Sequence, residues 1–238
     1  MTRQRRRHLI RKRRTTTGLA LVAAVSFIAG MTDAIGLILS GDFVSFMSGN
    51  TTRAAISVAD GDYSHALTLF GAIWVFILGN ALGIVLAHRV SARRAFVVLS
   101  TVAILLAGAS VLPADYLRMQ FYLVVLSMGL INATVEQIEG LPIGLTYITG
   151  ALSRFGRGIG RWMIGDRNPR GWLIQTVPWT GMAAGAVTGA FITHSMGKDA
   201  LSVVAMLTIV VALATRALPR PLHLHFQQPI VHRRRDAL

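Results

Sequence analysis

The chain contains no cysteine, which excludes disulfides, thiolate metal sites and thiol catalysis. Charge is scarce as well: 14% of residues carry it, against roughly 25% in a soluble domain. Acid is scarcer still, with 10 Asp and Glu among 238 residues against 24 Lys and Arg. No serine nucleophile motif, phosphate loop or pair of carboxylates at catalytic spacing is present, so an enzyme is not expected. His88, His194, His223 and His225 do not form a metal set, and neither a metal nor a cofactor is expected. The chain is rich in apolar residues, at 53% with mean hydropathy +0.55. That balance places it among membrane proteins. The net charge of +14 does not point to nucleic acid, because the basic residues flank apolar blocks instead of covering a folded face.

Six stretches approach the ~20 apolar residues that a membrane span needs: Thr17–Ser40, Ala66–His88, Ala95–Leu112, Met119–Ile138, Trp172–Thr193 and Leu201–Leu218. The N-terminal tail is basic from Arg3 to Arg14. The first loop holds Asp42, Asp60 and Asp62 against Arg53, and the second holds Arg89, Arg93 and Arg94. The third has Asp115 and Arg118, and the fourth has Arg154, Arg157, Arg161, Arg167 and Arg170. The fifth has Lys198 and Asp199, and the C-terminal tail ends in Arg233, Arg234 and Arg235. Alternate segments are therefore arginine-rich, and the positive-inside rule puts those in the cytoplasm with both termini. Six spans satisfy the rule; five or seven would break it. A cleaved signal peptide is the competing reading of the first span, but its apolar run is too long and no small-residue cleavage site follows. The expected organisation is a basic tail over 1–16, a membrane domain over 17–218 and a second basic tail over 219–238.

The two halves resemble each other. Gly30, Asp33 and Ala34 match Gly129, Asn132 and Ala133. The run Ser45-Phe46-Met47-Ser48-Gly49 through Arg53 matches Thr146-Tyr147-Ile148-Thr149-Gly150 through Arg154. Gly79 and Gly83 match Gly181 and Gly185. Three matches in one order indicate an internal repeat, the first copy over about 17–112 and the second over about 119–218. Each copy has three spans, so the second enters the membrane the other way up. The predicted fold class is an all-α membrane protein of two inverted three-helix repeats, a plan common among secondary transporters, whose sites lie near the midplane.

Asp33 falls inside the first span, where a carboxylate is costly and reads as functional by default. Asn132 is its counterpart. Glu136 lies one helical turn further on, on the face of Asn132, and Asn80 lies in the second span. These groups are expected to face the bundle interior, either lining a path or bridging helices by hydrogen bonds. Ser48, Asn50, Thr51, Thr52 and Thr149 belong to the two glycine-centred motifs. These motifs read either as re-entrant segments around an ion or substrate path or as capped, packed loops. Arg154, Arg157 and Arg161 form one helical stripe, expected to grip anionic lipid headgroups. Gly79, Gly83, Gly181 and Gly185 are small-xxx-small packing faces. They suggest that the second and fifth spans meet on the pseudo-two-fold axis, with homodimerisation as the alternative use. Pro178 is expected to kink the fifth span or end a turn of it.

The stretch Phe43-Val44-Ser45-Phe46-Met47-Ser48-Gly49-Asn50-Thr51-Thr52, with Gly30 to Gly36, Gly129 to Ala133 and Leu145 to Gly150, resembles the YoaK-like family of bacterial multi-pass membrane proteins (domain of unknown function 1275). The resemblance runs from about Gly18 to Leu218. It implies an inner-membrane, multi-pass protein and no particular activity. The residues themselves favour a small secondary transporter or exporter, in contact with the lipid bilayer and with a small-molecule or ion substrate. Asp33 would be its coupling or substrate carboxylate, and proton coupling suits a lone carboxylate away from water. The alternative is a non-transporting lipid-binding or membrane assembly protein.

Overall fold

The computed structural model describes residues 3–90, 93–135, 137–138, 141–142, 146–166 and 170–217. The helices among them are α1 (Arg3–Ser40), α2 (Met47–Ala59), α3 (Tyr63–Val90), α4 (Arg94–Val111), α5 (Leu117–Ile131), α6 (Ile148–Met163), α7 (Arg170–Leu173), α8 (Thr176–Met196) and α9 (Ala200–Arg216). A two-residue ladder joins β1 (Gln137–Ile138) to β2 (Leu141–Pro142). It is the one departure from all-α structure among the described residues.

Five runs are long and apolar enough to cross a membrane: Thr15–Ser40, Tyr63–Val90, Arg94–Val111, Leu117–Thr134 and Gly171–Arg216. In hydrocarbon every backbone polar group must be satisfied internally, and helices do this within one segment. The fifth run is 46 residues long, about twice the length of a span. It is broken at Gly197, whose φ of +57° closes α8 before α9 begins. The large side chains left on the outside, among them Trp74, Ile104 and Phe191, suit lipid rather than water.

The helices pack in pairs. α1 lies along α8, α3 along α5, and α4 along α9. Glycine sets the first two approaches. A Cβ on Gly30 would run into the Met182 carbonyl of α8, and one on Gly129 would run into the Phe76 carbonyl of α3. The α4–α9 pair is instead filled by branched side chains, including Leu99, Val102 and Leu106 with Leu201 and Val204. The Arg216 guanidinium lies 5.5 Å from the centre of the Phe96 ring.

Three expectations change here. Gly79 and Gly83 pack against Leu126 and Leu130 of α5, while Gly181 and Gly185 pack against Ala23 and Phe27 of α1. The glycine faces therefore serve two separate helix pairs rather than a meeting of the second and fifth spans, and both faces are used within the chain. Pro178 does not kink α8. It lies in the first turn, where its missing N–H breaks no helical bond. The fourth span stops short of Ile138: α5 ends at Ile131, a 3-10 turn covers Asn132–Thr134, and Val135 is extended at φ −142° and ψ 116°. A continuous helical face carrying both Asn132 and Glu136 is thus absent. The Asn132 amide oxygen is taken by Thr146, and β-branched Thr134 and Val135 favour leaving the helix. Glu136 itself lies outside the described residues.

Candidate functional site

Two segments turn back towards the middle of the bundle, one in each half. In the first, α1 ends at Gly41, whose φ of +80° suits glycine and whose N–H bonds the Leu37 carbonyl. The chain then runs past Phe43 to Ser45 beside Asp33, which lies about seven residues, or ~10 Å, before the end of α1. Asp33 Oδ1 accepts the backbone N–H groups of Val44 at 3.1 Å and Ser45 at 2.8 Å. The chain returns as α2. Asn50 on α2 grips the outgoing stretch at both polar atoms of Phe43: Oδ1 accepts its N–H at 3.2 Å and Nδ2 donates to its carbonyl at 2.6 Å. Higher up, Arg53 donates to the Gly41 carbonyl and lies 3.5 Å from the Asp42 carboxylate.

The second half repeats this plan with different chemistry. The Thr146 hydroxyl donates to Asn132 Oδ1 at 3.1 Å, where the first half has a carboxylate holding backbone amides. α6 then starts as α2 does. The residue before each helix, Phe46 or Tyr147, has nearly the same backbone angles: φ −89° and ψ 72° against φ −91° and ψ 66°. Both helices also end alike. The N–H of Gly61 bonds Val58 and that of Asp62 bonds Ser57, while Gly165 bonds Trp162 and Asp166 bonds Arg161. Both are Schellman caps with glycine at positive φ. The pair Gly61-Asp62 and Gly165-Asp166 is a further likeness between the two segments, beyond the residues that sequence comparison picked out.

Between the two segments lies an open cavity of about 870 Å³. Asp33, Ser45 and Ser48 line it from the first half, and Asn132, Thr146 and Thr149 from the second. Asn80 of α3 reaches it too, and Phe43, Phe46, Phe76, Tyr147 and Trp179 supply aromatic wall. Its volume lies in the usual range for a small-molecule site. Among the described lining residues there is no lysine, arginine or histidine, and Asp33 is the one carboxylate. Asn80 and Asn132 each donate their amide NH₂ back to the carbonyl four residues earlier, Phe76 and Met128. The Ser45 hydroxyl is buried beside Asp33.

Of the residues singled out from sequence, Asp33, Asn80, Asn132, Ser48 and Thr149 meet in this one cavity. Asn50 is fully buried as the clamp on Phe43, not in the cavity wall. Thr51 and Thr52 return their hydroxyls to the carbonyls of Met47 and Ser48 on the exposed side of α2. Arg154, Arg157 and Arg161 all lie on α6. Arg154 Nε donates to Gln175 at 3.1 Å, while Arg157 and Arg161 are exposed. Near them Phe155 packs on Trp172, with ring centres 5.5 Å apart.

A second polar cluster escaped the sequence reading. His65 Nε2 lies 2.9 Å from Asp42, and its Nδ1 lies 3.0 Å from the Ser57 hydroxyl. The three residues fall on a loop, α2 and α3, with no fixed spacing to announce them. A serine, a histidine and an aspartate in line invite comparison with a hydrolase. Ser57, however, is buried at 8% exposure and is absent from the wall of the neighbouring 380 Å³ cavity that His65 and Asp42 line. The cluster fastens the returning helix α2 to the start of α3.

The family described as protein of unknown function (DUF1275) matches residues 21–214, a stretch that holds both returning segments and all three helix pairs. The chain belongs to this family. It is also similar to the UPF0700 transmembrane protein RA0705 of Rhizobium meliloti (strain 1021), at 49% identity over 220 residues, covering 92% of this chain and 96% of that protein. No solved structure matches the chain. As a family member it is an all-α, multi-pass membrane protein.

Proposed function

We propose that this family member is a small secondary transporter or exporter of the bacterial inner membrane. Its six spans form two inverted three-helix repeats, with both termini in the cytoplasm. The observation that carries the reading is the cavity itself: repeat-related Asp33 and Asn132 each fasten a returning segment, and both segments border one space. The pairing of helices supports it. Exchanging the first copy for the second turns the α1–α8 pair into the α5–α3 pair and returns the α4–α9 pair to itself, as a pseudo-two-fold axis requires. Discontinuous segments meeting at a midplane site are the usual transporter design.

The chemistry suggests how a proton couples to the gate. An ionised carboxylate holds the Val44 and Ser45 amides by charge-assisted bonds, roughly twice as strong as neutral ones. A proton on Asp33 removes that assistance and loosens the segment on one side of the cavity. Asn132 cannot be protonated, so the other segment does not respond to pH. On this reading the chain is not an enzyme and needs no cofactor. The test is solute-driven proton movement in liposomes carrying the purified protein and an internal pH dye. The wild type should move protons with at least one solute of a small-metabolite panel, and Asp33→Asn should not. Coupled flux that survives Asp33→Asn unchanged would sink the assignment of Asp33.

A second reading rests on α6. Exposed Arg157 and Arg161 sit beside exposed Trp162 and Met163, a composition suited to an anionic membrane surface. If the protein is a lipid-binding or assembly factor, replacing those arginines abolishes its role and Asp33→Asn is nearly silent.

A further inference from the structure

We propose that the cavity between the two returning segments receives an organic monocation: one positive centre carried on an apolar, ring-sized body. The proposal names the substrate class of the transporter described above. It rests on that reading for movement across the membrane but not for binding.

Charge makes the first selection. Among the described lining residues Asp33 is the one fixed charge, and no basic side chain balances it. A carboxylate held away from bulk water is costly until a cation or a proton pairs with it. An anionic ligand would add a second negative charge, and a neutral one would leave Asp33 as it was. A monocation neutralises it. A proton does the same, so the two compete for one group, which is the simplest form of exchange.

The walls make the second selection. Phe46 and Tyr147 stand at matching backbone positions on the two segments. Each ring lies against the glycine three residues on, Gly49 or Gly150, where a Cβ would strike it. The glycines thereby leave room for both rings beside the helix starts. Trp179 and Phe76 add further aromatic surface. Aromatic faces carry negative potential and attract cations, organic ones above all, because these shed water easily.

Two ions of one shape and opposite charge test this: tetraphenylphosphonium and tetraphenylborate, titrated calorimetrically into the purified full chain in detergent, with empty micelles as blank. The phosphonium should bind at least about tenfold more tightly than the borate. Asp33→Asn should weaken it by about tenfold, and Trp179→Ala by several-fold with no change in melting temperature. If Asp33→Asn does not fold, the ion pair and Trp179→Ala still decide. Equal affinities, a preference for the borate, no binding of the phosphonium, or phosphonium binding untouched by either substitution overturns the proposal. The two readings fail separately. Proton-coupled flux of a neutral or anionic solute without phosphonium binding removes the cation and leaves the transporter. Charge-selective binding in a protein that moves no solute removes the transporter and leaves the cation site.

Discussion

The two halves of the chain solve one structural problem with different chemistry. Each must hold a segment that turns back beside the cavity. The first half does it with a carboxylate that accepts two backbone amides, an asparagine that grips Phe43 at both ends, and a His65–Asp42–Ser57 link to the next helix. The second half has a single hydroxyl-to-amide bond at the equivalent position, Thr146 to Asn132, and an arginine-to-glutamine bond further along. Where the first half has Asn50, the second has buried Ala151. The geometry is retained and the electrostatics are not. The carboxylate and the tighter anchoring are both on one side of the cavity, and the other side is held by neutral groups.

The largest expected effect attacks what the halves share. Gly30 and Gly129 hold matching places in the two halves of the sequence, and a side chain at either would meet the backbone of the facing helix. Backbone cannot move aside as a side chain can. Gly30→Val and Gly129→Val should each cost at least the ~1–3 kcal/mol of overpacking. The check is the yield and melting temperature of the detergent-solubilised protein. If one variant is tolerated and the other is not, the helix pairs are not equivalent and the proposed pseudo-two-fold relation fails there.

The next comparison attacks what the halves do not share. Asp33→Ala leaves two amides without their acceptor, at ~1–3 kcal/mol for each buried group left unsatisfied. Asn132→Ala removes one neutral hydrogen bond of the kind worth ~0.6 kcal/mol between membrane helices. Thermal unfolding should therefore rank Asp33→Ala well below Asn132→Ala. Equal losses would mean that the carboxylate is no better an anchor than the amide. The outer link should fall between them. His65→Ala strips a partner from both Asp42 and Ser57, whereas Arg154→Ala strips one from Gln175, and the former should lower the melting temperature more.

Much of the membrane architecture was legible because lipid makes a strong demand: long apolar runs and the charges between them are visible without alignment. Asp33 was legible for the same reason, as a carboxylate in an apolar run. The matched motifs were legible because both copies need a chain reversal before a helix, which keeps Ser or Thr, an aromatic and Gly in register. What escaped was whatever depends on distant contact. The glycine faces were found, but sequence does not say which helix a face meets, and the pairing turned out to be first with fifth and second with fourth. The end of α5 is not legible because the apolar run continues through Val135 to Ile138, while the helix gives way to a 3-10 turn at Asn132–Thr134. The His65 cluster was missed because three elements supply its members. Asn50, Thr51 and Thr52 are polar neighbours in sequence, yet a helix sends adjacent residues to different faces, so one is a clamp and two turn outwards.

That division of α2 gives the smallest and most discriminating prediction. Ser48 lines the cavity, whereas Thr51 points its hydroxyl back at the Met47 carbonyl on the exposed face. Neither hydroxyl holds the fold, so Ser48→Ala and Thr51→Ala should each change stability by no more than ~0.5 kcal/mol. Their effects on ligand should differ. Ser48→Ala should change the affinity or rate for whatever solute the cavity takes, and Thr51→Ala should change neither. The pair is best measured beside Thr149→Ala, at the place in the second motif that Ser48 holds in the first. If the cavity is used from both sides, Ser48→Ala and Thr149→Ala shift ligand affinity alike. If only the Asp33 side binds, Thr149→Ala behaves like Thr51→Ala, and the asymmetry between the halves extends from their anchoring to their recognition of the ligand.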